Sequence, residues 1–202
     1  MPPAIQDATK RQPNTQLRSR PVHRLREPRN AAIVGLLIAA AVVVIFLLVK
    51  NDDDGNSEPP ATNGAQSISL QGLRDLAASV DHPVYWAGAR PGKQYELTIS
   101  DQGNIFVRYL DPNTAIGSRS VASLTVGTYP VANAYGALQT VAKQPGAKTS
   151  QTPDGGFVVT NSDKPQSVYI AFPGTDHEIE VYDPSPKTAF ALATSGAIVP
   201  VS

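Results

Sequence analysis

The sequence predicts an α+β domain, a mostly antiparallel sheet with two or three helices, preceded by one transmembrane helix. Three observations predict it. Residues 31–49 are unbroken apolar sequence, AAIVGLLIAAAVVVIFLLV. Segments 94–110 and 167–182 alternate polar and apolar residues around turn signals, as strands of hairpins do. Stretches near 70–79, 131–143 and 186–194 carry apolar residues at helical spacing, each bounded by capping or breaking residues.

Taken as a helix with about 1.5 Å rise per residue, the run at 31–49 is roughly 28 Å long, close to the hydrocarbon thickness of a bilayer. Its flanks set an orientation. Residues 1–30 hold seven basic residues, Lys10, Arg11, Arg18, Arg20, Arg24, Arg26 and Arg29, against Asp7 and Glu27. The rest of the chain holds ten basic and fifteen acidic residues, so a net charge of zero hides two halves of opposite sign. Such an excess of Lys and Arg beside a span keeps that end in the cytoplasm. The expectation is a single-pass protein of the cell membrane, N-terminus cytoplasmic and C-terminal domain extracytoplasmic. A cleaved signal peptide is the rival reading, but its apolar core is shorter and ends in small residues. This run ends in Phe46, Leu47, Leu48, Val49 and Lys50. Gly35 and Ala39 have the spacing of a close helix contact, though an alanine-rich span produces such pairs without one.

Residues 1–30 lack apolar periodicity and are rich in proline, the composition of a disordered basic tail. Residues 50–66, KNDDDGNSEPPATNGAQ, read as a flexible acidic stalk, about 20–25 Å end to end as a coil. Asp52, Asp53 and Asp54 are consecutive, whereas a calcium loop needs alternating ligands and a distal glutamate.

The extracytoplasmic domain then occupies 67–202. Ser69 caps a first helix through 79, with Leu70, Leu73, Leu76 and Ala77 on one stripe. Val84, Tyr85 and Trp86 form a short extended piece. Strands at 94–100 and 104–110 flank the turn Asp101-Gln102-Gly103, and a further strand covers 124–129. Pro130 precedes the second helix, 131–143, which Pro145 and Gly146 end. Strands at 148–152 and 157–160 surround Pro153-Asp154-Gly155-Gly156, and 167–172 pairs with 177–182. Pro186 opens a last helix through 194, and Gly196 follows it. YELTISDQGNIFVRYLDP at 95–112 and VYIAFPGTDHEIEVYDP at 168–184 share strand, turn, strand, then tyrosine, aspartate and proline. The recurrence suggests two related helix-plus-hairpin halves; two independent hairpins with similar stop signals explain it equally.

With no cysteine, the domain has neither disulfides nor thiolate chemistry, and stability must come from burial of residues such as Trp86, Leu97, Ile99, Val107, Ile170 and Val181. Three histidines, His23, His82 and His177, leave little material for a metal site, and no metal or cofactor is expected. No basic patch marks the outer domain, so nucleic acid is not an expected partner. Catalytic motifs of the Gly-x-Ser-x-Gly, Ser-x-x-Lys and His-Glu-x-x-His kinds do not occur. Glu178 and Glu180 share one strand face beside His177, which admits carboxylate chemistry. Ile179 and Val181 on the other face imply instead that both glutamates face solvent. Tyr85 and Trp86 are the candidate binding residues. Their rings suit a sugar face, although core packing is the commoner use.

The segments HPVYWAG, YELT, GNIFVRYL and TVGTYP, spread over about 73–129, resemble uncharacterised membrane-anchored proteins of actinobacteria. That resemblance implies an anchored envelope domain and brings no activity, ligand or catalytic residue. The expected function is a non-enzymatic binding or scaffolding module of the cell envelope, held in the membrane through 31–49, with envelope proteins as partners. A cell-wall glycan module and a carboxylate hydrolase are the alternatives.

Overall fold

The computed structural model describes residues 64–202, so the predicted tail, span and most of the stalk lie outside the described residues. No helix among the described residues is long and apolar enough to cross a membrane. Within them lies the expected α+β architecture, with three helices and a sheet in which every described strand pair is antiparallel.

The chain runs β1 (Gln66–Ile68), α1 (Leu70–Ser79), β2 (Tyr85–Trp86), β3 (Gln94–Ile99), β4 (Ile105–Leu110) and β5 (Thr125–Pro130). Then come α2 (Ala134–Val141), β6 (Ala147–Gln151), β7 (Phe157–Asn161), β8 (Lys164–Ala171), β9 (His177–Tyr182), α3 (Pro186–Thr194) and β10 (Val199–Pro200). Eight strands form one sheet in the order β1-β3-β4-β5-β9-β8-β7-β6, and β10 pairs with β2 apart from it. The sheet is thus two four-stranded meanders, each running from an edge to the centre, joined where β5 meets β9. The hairpins whose sequence pattern recurs, β3–β4 and β8–β9, hold different places in these meanders. β3–β4 lies one strand out from the centre, while β9 is itself a central strand.

Local signals explain the helix ends. The Ser69 hydroxyl accepts the Gly72 N–H at 3.0 Å, and the Ser185 hydroxyl accepts the Thr188 N–H at 3.3 Å with Pro186 following it. The second helix starts later than the expected 131, because Asn133 takes a left-handed conformation (φ 51°) and caps it through the Gly136 N–H. The sheet begins at Gln66, a residue assigned from sequence to the end of the stalk.

Both faces of the sheet are covered. On one, Leu97, Val107, Tyr109, Val126, Ile170, Ile179 and Val181 pack with Leu73 of α1 and with Ala189 and Ala193 of α3. On the other, Phe106, Tyr129, Val159, Tyr169 and Ala171 pack with Ala134, Leu138 and Val141 of α2. Of the expected core residues, Leu97, Val107, Ile170 and Val181 are buried, while Ile99 and Trp86 sit half-buried at the margin. Helices on both faces overturn the expectation that alternate residues of β9 meet water. Glu178 is 1% exposed and Glu180 half-buried. The alternation itself holds; what differs is that α2 closes over the polar face.

Candidate functional site

Two polar constellations and one cleft stand out. The first is built on the α2 side of β5, β8 and β9. The cross-strand register sets Glu178 opposite Tyr129 and Ala171, and Glu180 opposite Gly127 and Tyr169. A side chain at Gly127 would meet the Tyr129 ring, whose nearest carbon lies 2.9 Å from the position of an added Cβ. Glycine there lets Tyr129 lie back along its own strand, and its hydroxyl donates to Glu180 Oε2 at 2.5 Å. The Tyr169 hydroxyl donates to Glu180 Oε1 at 3.4 Å. Glu178 Oε2 is buried and has no hydrogen-bond partner among the described residues. Burial, and then the neighbouring Glu180, push the Glu178 carboxyl up to about 8, so it keeps its proton at neutral pH. Burial and Glu180 likewise raise both tyrosine phenols well above their ordinary value.

His177 does not join this cluster. Strand alternation turns it to the opposite face, where its ring lies 5.2 Å from that of His82. Burial and His82 lower its basicity while Asp176 raises it. The sheet therefore stands between the histidine and the two glutamates of the hydrolase reading. Among the described residues no three His, Cys, Asp or Glu side chains gather as a metal site.

The second constellation is an ion pair that the sequence reading missed. Arg108 and Glu96 face each other across β3–β4, with Arg108 Nη1 2.5 Å from Glu96 Oε1, both side chains nearly buried. Arg108 also donates to the carbonyls of Ser118 (3.0 Å) and Ser120 (2.7 Å), and Glu96 Oε2 accepts the Gly117 N–H at 2.6 Å. The pair thus straps the β4–β5 loop across the sheet. The Tyr182 hydroxyl, donating to the Val121 carbonyl at 2.9 Å, ties the same loop to β9.

Strapping that loop shapes the cleft, of about 230 Å³, between the Arg90–Lys93 turn, Ala122–Leu124 at the end of the loop, and Asp183–Pro184 after β9. Tyr109 is part of its wall, and neither Glu178 nor Glu180 lines it. The Arg90 guanidinium carbon lies 5.7 Å from the centre of the Tyr109 ring. Lys93 is ion-paired with Asp111.

Tyr85 and Trp86, the sequence candidates, are placed in β2. Tyr85 is buried and stacks on Phe172 with ring centres 6.1 Å apart. Trp86 is half-buried, edge-on to Tyr95 at 6.4 Å and paired with Val199 of β10. Neither lines the cleft. Arg90, Ser123 and Asp183 come from three distant segments, and no local spacing announces them. The Glu96–Arg108 pair was more legible, since the turn after Ile99 sets these two residues opposite one another. Comparisons with protein-family models, with curated proteins and with solved structures found no match.

Proposed function

We propose that this chain is a single-pass membrane protein that presents a binding module outside the membrane, with an envelope component as its partner. The observation that carries the reading is the uncharged run at 31–49, with its basic flank on one side and acidic flank on the other. Because the sheet begins at Gln66, only residues 50–65 separate the run from the domain. Sixteen residues reach at most about 55 Å when fully extended, so the partner is met close to the bilayer.

A catalytic role has less support. Glu178 is buried and neutral, and His177 faces the other side of the sheet. Burial of Tyr85 weighs against a paired aromatic platform for glycan. The test is a reporter active only outside the cytoplasm, fused after Ser202. Signal from cells is expected, with the full-length chain in the membrane fraction. Activity confined to a cytoplasmic reporter reverses the orientation, and a released product starting near residue 50 makes the run a signal peptide.

A further inference from the structure

We propose that the cleft beside Arg90 binds a singly charged oxyanion, a carboxylate or a phosphodiester group. The inference rests on the reading of the domain as a binding module and names the group it takes. Arg90 is held in place before any ligand arrives. Its backbone N–H donates to the Tyr95 hydroxyl at 2.9 Å, and its carbonyl accepts the Lys93 N–H at 3.3 Å. The ring beneath the guanidinium is fixed as well, since the Tyr109 hydroxyl accepts the Ala87 N–H at 2.7 Å and donates to the Gly88 carbonyl at 3.2 Å.

No acid among the described residues forms an ion pair with the charge held there. Lys93 pairs with Asp111 and Arg108 with Glu96, and Arg90 belongs to neither pair. Its Nε is buried without an acceptor, so the side chain is stripped of water on one side and gains no hydrogen bond there. A guanidinium within cation–π reach of an aromatic ring, partly desolvated and lining a cleft, is matched by the oxygens of a carboxylate or phosphate.

The rest of the wall selects within that class. Lys93 adds a second cation, shared with Asp111. Asp183 stands in the same wall, its Oδ1 accepting the Ser185 N–H at 2.9 Å. One cation with no ion pair among the described residues, and one carboxylate in the same wall, favour a single negative charge over a double one. A volume of about 230 Å³ lies below that of pockets for whole drug-sized ligands, so the cleft takes a terminal group of a larger molecule. A lipid headgroup and a soluble carboxylate or phosphodiester both present such a group.

The test uses the full chain, ¹⁵N-labelled, in micelles of a non-ionic detergent at constant ionic strength. It is titrated with acetate, dimethyl phosphate and sulfate, and separately with phosphatidylglycerol mixed into the micelles. Saturable amide shifts at Arg90, Gly92, Lys93 and 122–124 are expected with the two monoanions, and weaker ones with sulfate. Saturation by phosphatidylglycerol at far lower concentration than by dimethyl phosphate assigns the group to a lipid; equal or weaker response assigns it to a soluble source. Arg90→Gln should weaken the monoanion at least tenfold at an unchanged melting temperature. Asp183→Asn, which leaves Arg90 in place, should strengthen sulfate several-fold. The proposal is overturned by the absence of saturable shifts, by equal binding in folded Arg90→Gln, or by sulfate binding that Asp183→Asn leaves unchanged. Shifts centred elsewhere, around Trp86 for example, refute the cleft yet leave the binding module standing, and the reporter fusion tests the anchor independently.

Discussion

Replacing Glu178 with glutamine should stabilise this protein at neutral pH. The carboxyl is 1% exposed and is raised from its ordinary 4.5 to about 8, by burial first and Glu180 second. In the unfolded chain it releases its proton near 4.5; in the folded protein it holds the proton to about 8. Between those values the unfolded state binds fewer protons, so stability falls as pH rises. At about 1.4 kcal/mol per pH unit, the loss is about 3 kcal/mol by pH 7 and about 5 kcal/mol above pH 8, relative to pH 4.5. Glutamine keeps the shape and polarity of the protonated acid but has no proton to hold. Glu178→Gln should therefore match the wild type near pH 4.5 and exceed it by about 3 kcal/mol at pH 7. His177, lowered by burial and by His82, gives the opposite slope below its ordinary value of 6.5. It is present in both proteins, so it cancels in the difference. Urea unfolding of the full chain in micelles, followed by Trp86 fluorescence at pH 4.5, 6, 7 and 8.5, reads this difference. Parallel stability curves for the two proteins across that range would refute the reasoning, for they would mean that Glu178 reaches water or a partner when it ionises.

Two further substitutions probe the strap and the aromatic candidate. Arg108→Gln leaves the Glu96 carboxylate buried without its cation and frees two loop carbonyls, a loss of about 3–5 kcal/mol. Limited proteolysis should cut the 111–124 loop faster in this variant, and equal cutting would show that the loop is held by other contacts. Trp86→Ala should cost about 2–3 kcal/mol, below the usual range for a fully buried tryptophan because the ring is half-buried. Thermal melting reads that loss, and retention on isolated cell wall should not change; an unaltered melting temperature with lost retention would instead establish a glycan site at β2.

The sequence by itself determined the order and kind of the elements. Alternation at 94–110 and 177–182, and the turn and cap residues between segments, are local properties that a strand or helix needs whatever its neighbours are. They located β3, β4, β9, α1 and α3 within a residue or two. Two short strands escaped, β1 and β10, because a strand of three or two residues has no period and exists only through its partner. Tertiary structure decided what covers each face. Alternation put Glu178 and Glu180 on one side of β9, but β5 leads into α2 and then out to edge strand β6, which brings that helix over the same side. Burial then changed a solvated pair into a neutral acid beside a tyrosine-bound neighbour. The same holds for the cleft. Its cation, hydroxyl and carboxylate are 33 and 60 residues apart, at Arg90, Ser123 and Asp183. Only assembly of the sheet and strapping of the β4–β5 loop bring them together, and that depends on long-range packing, which no local spacing encodes.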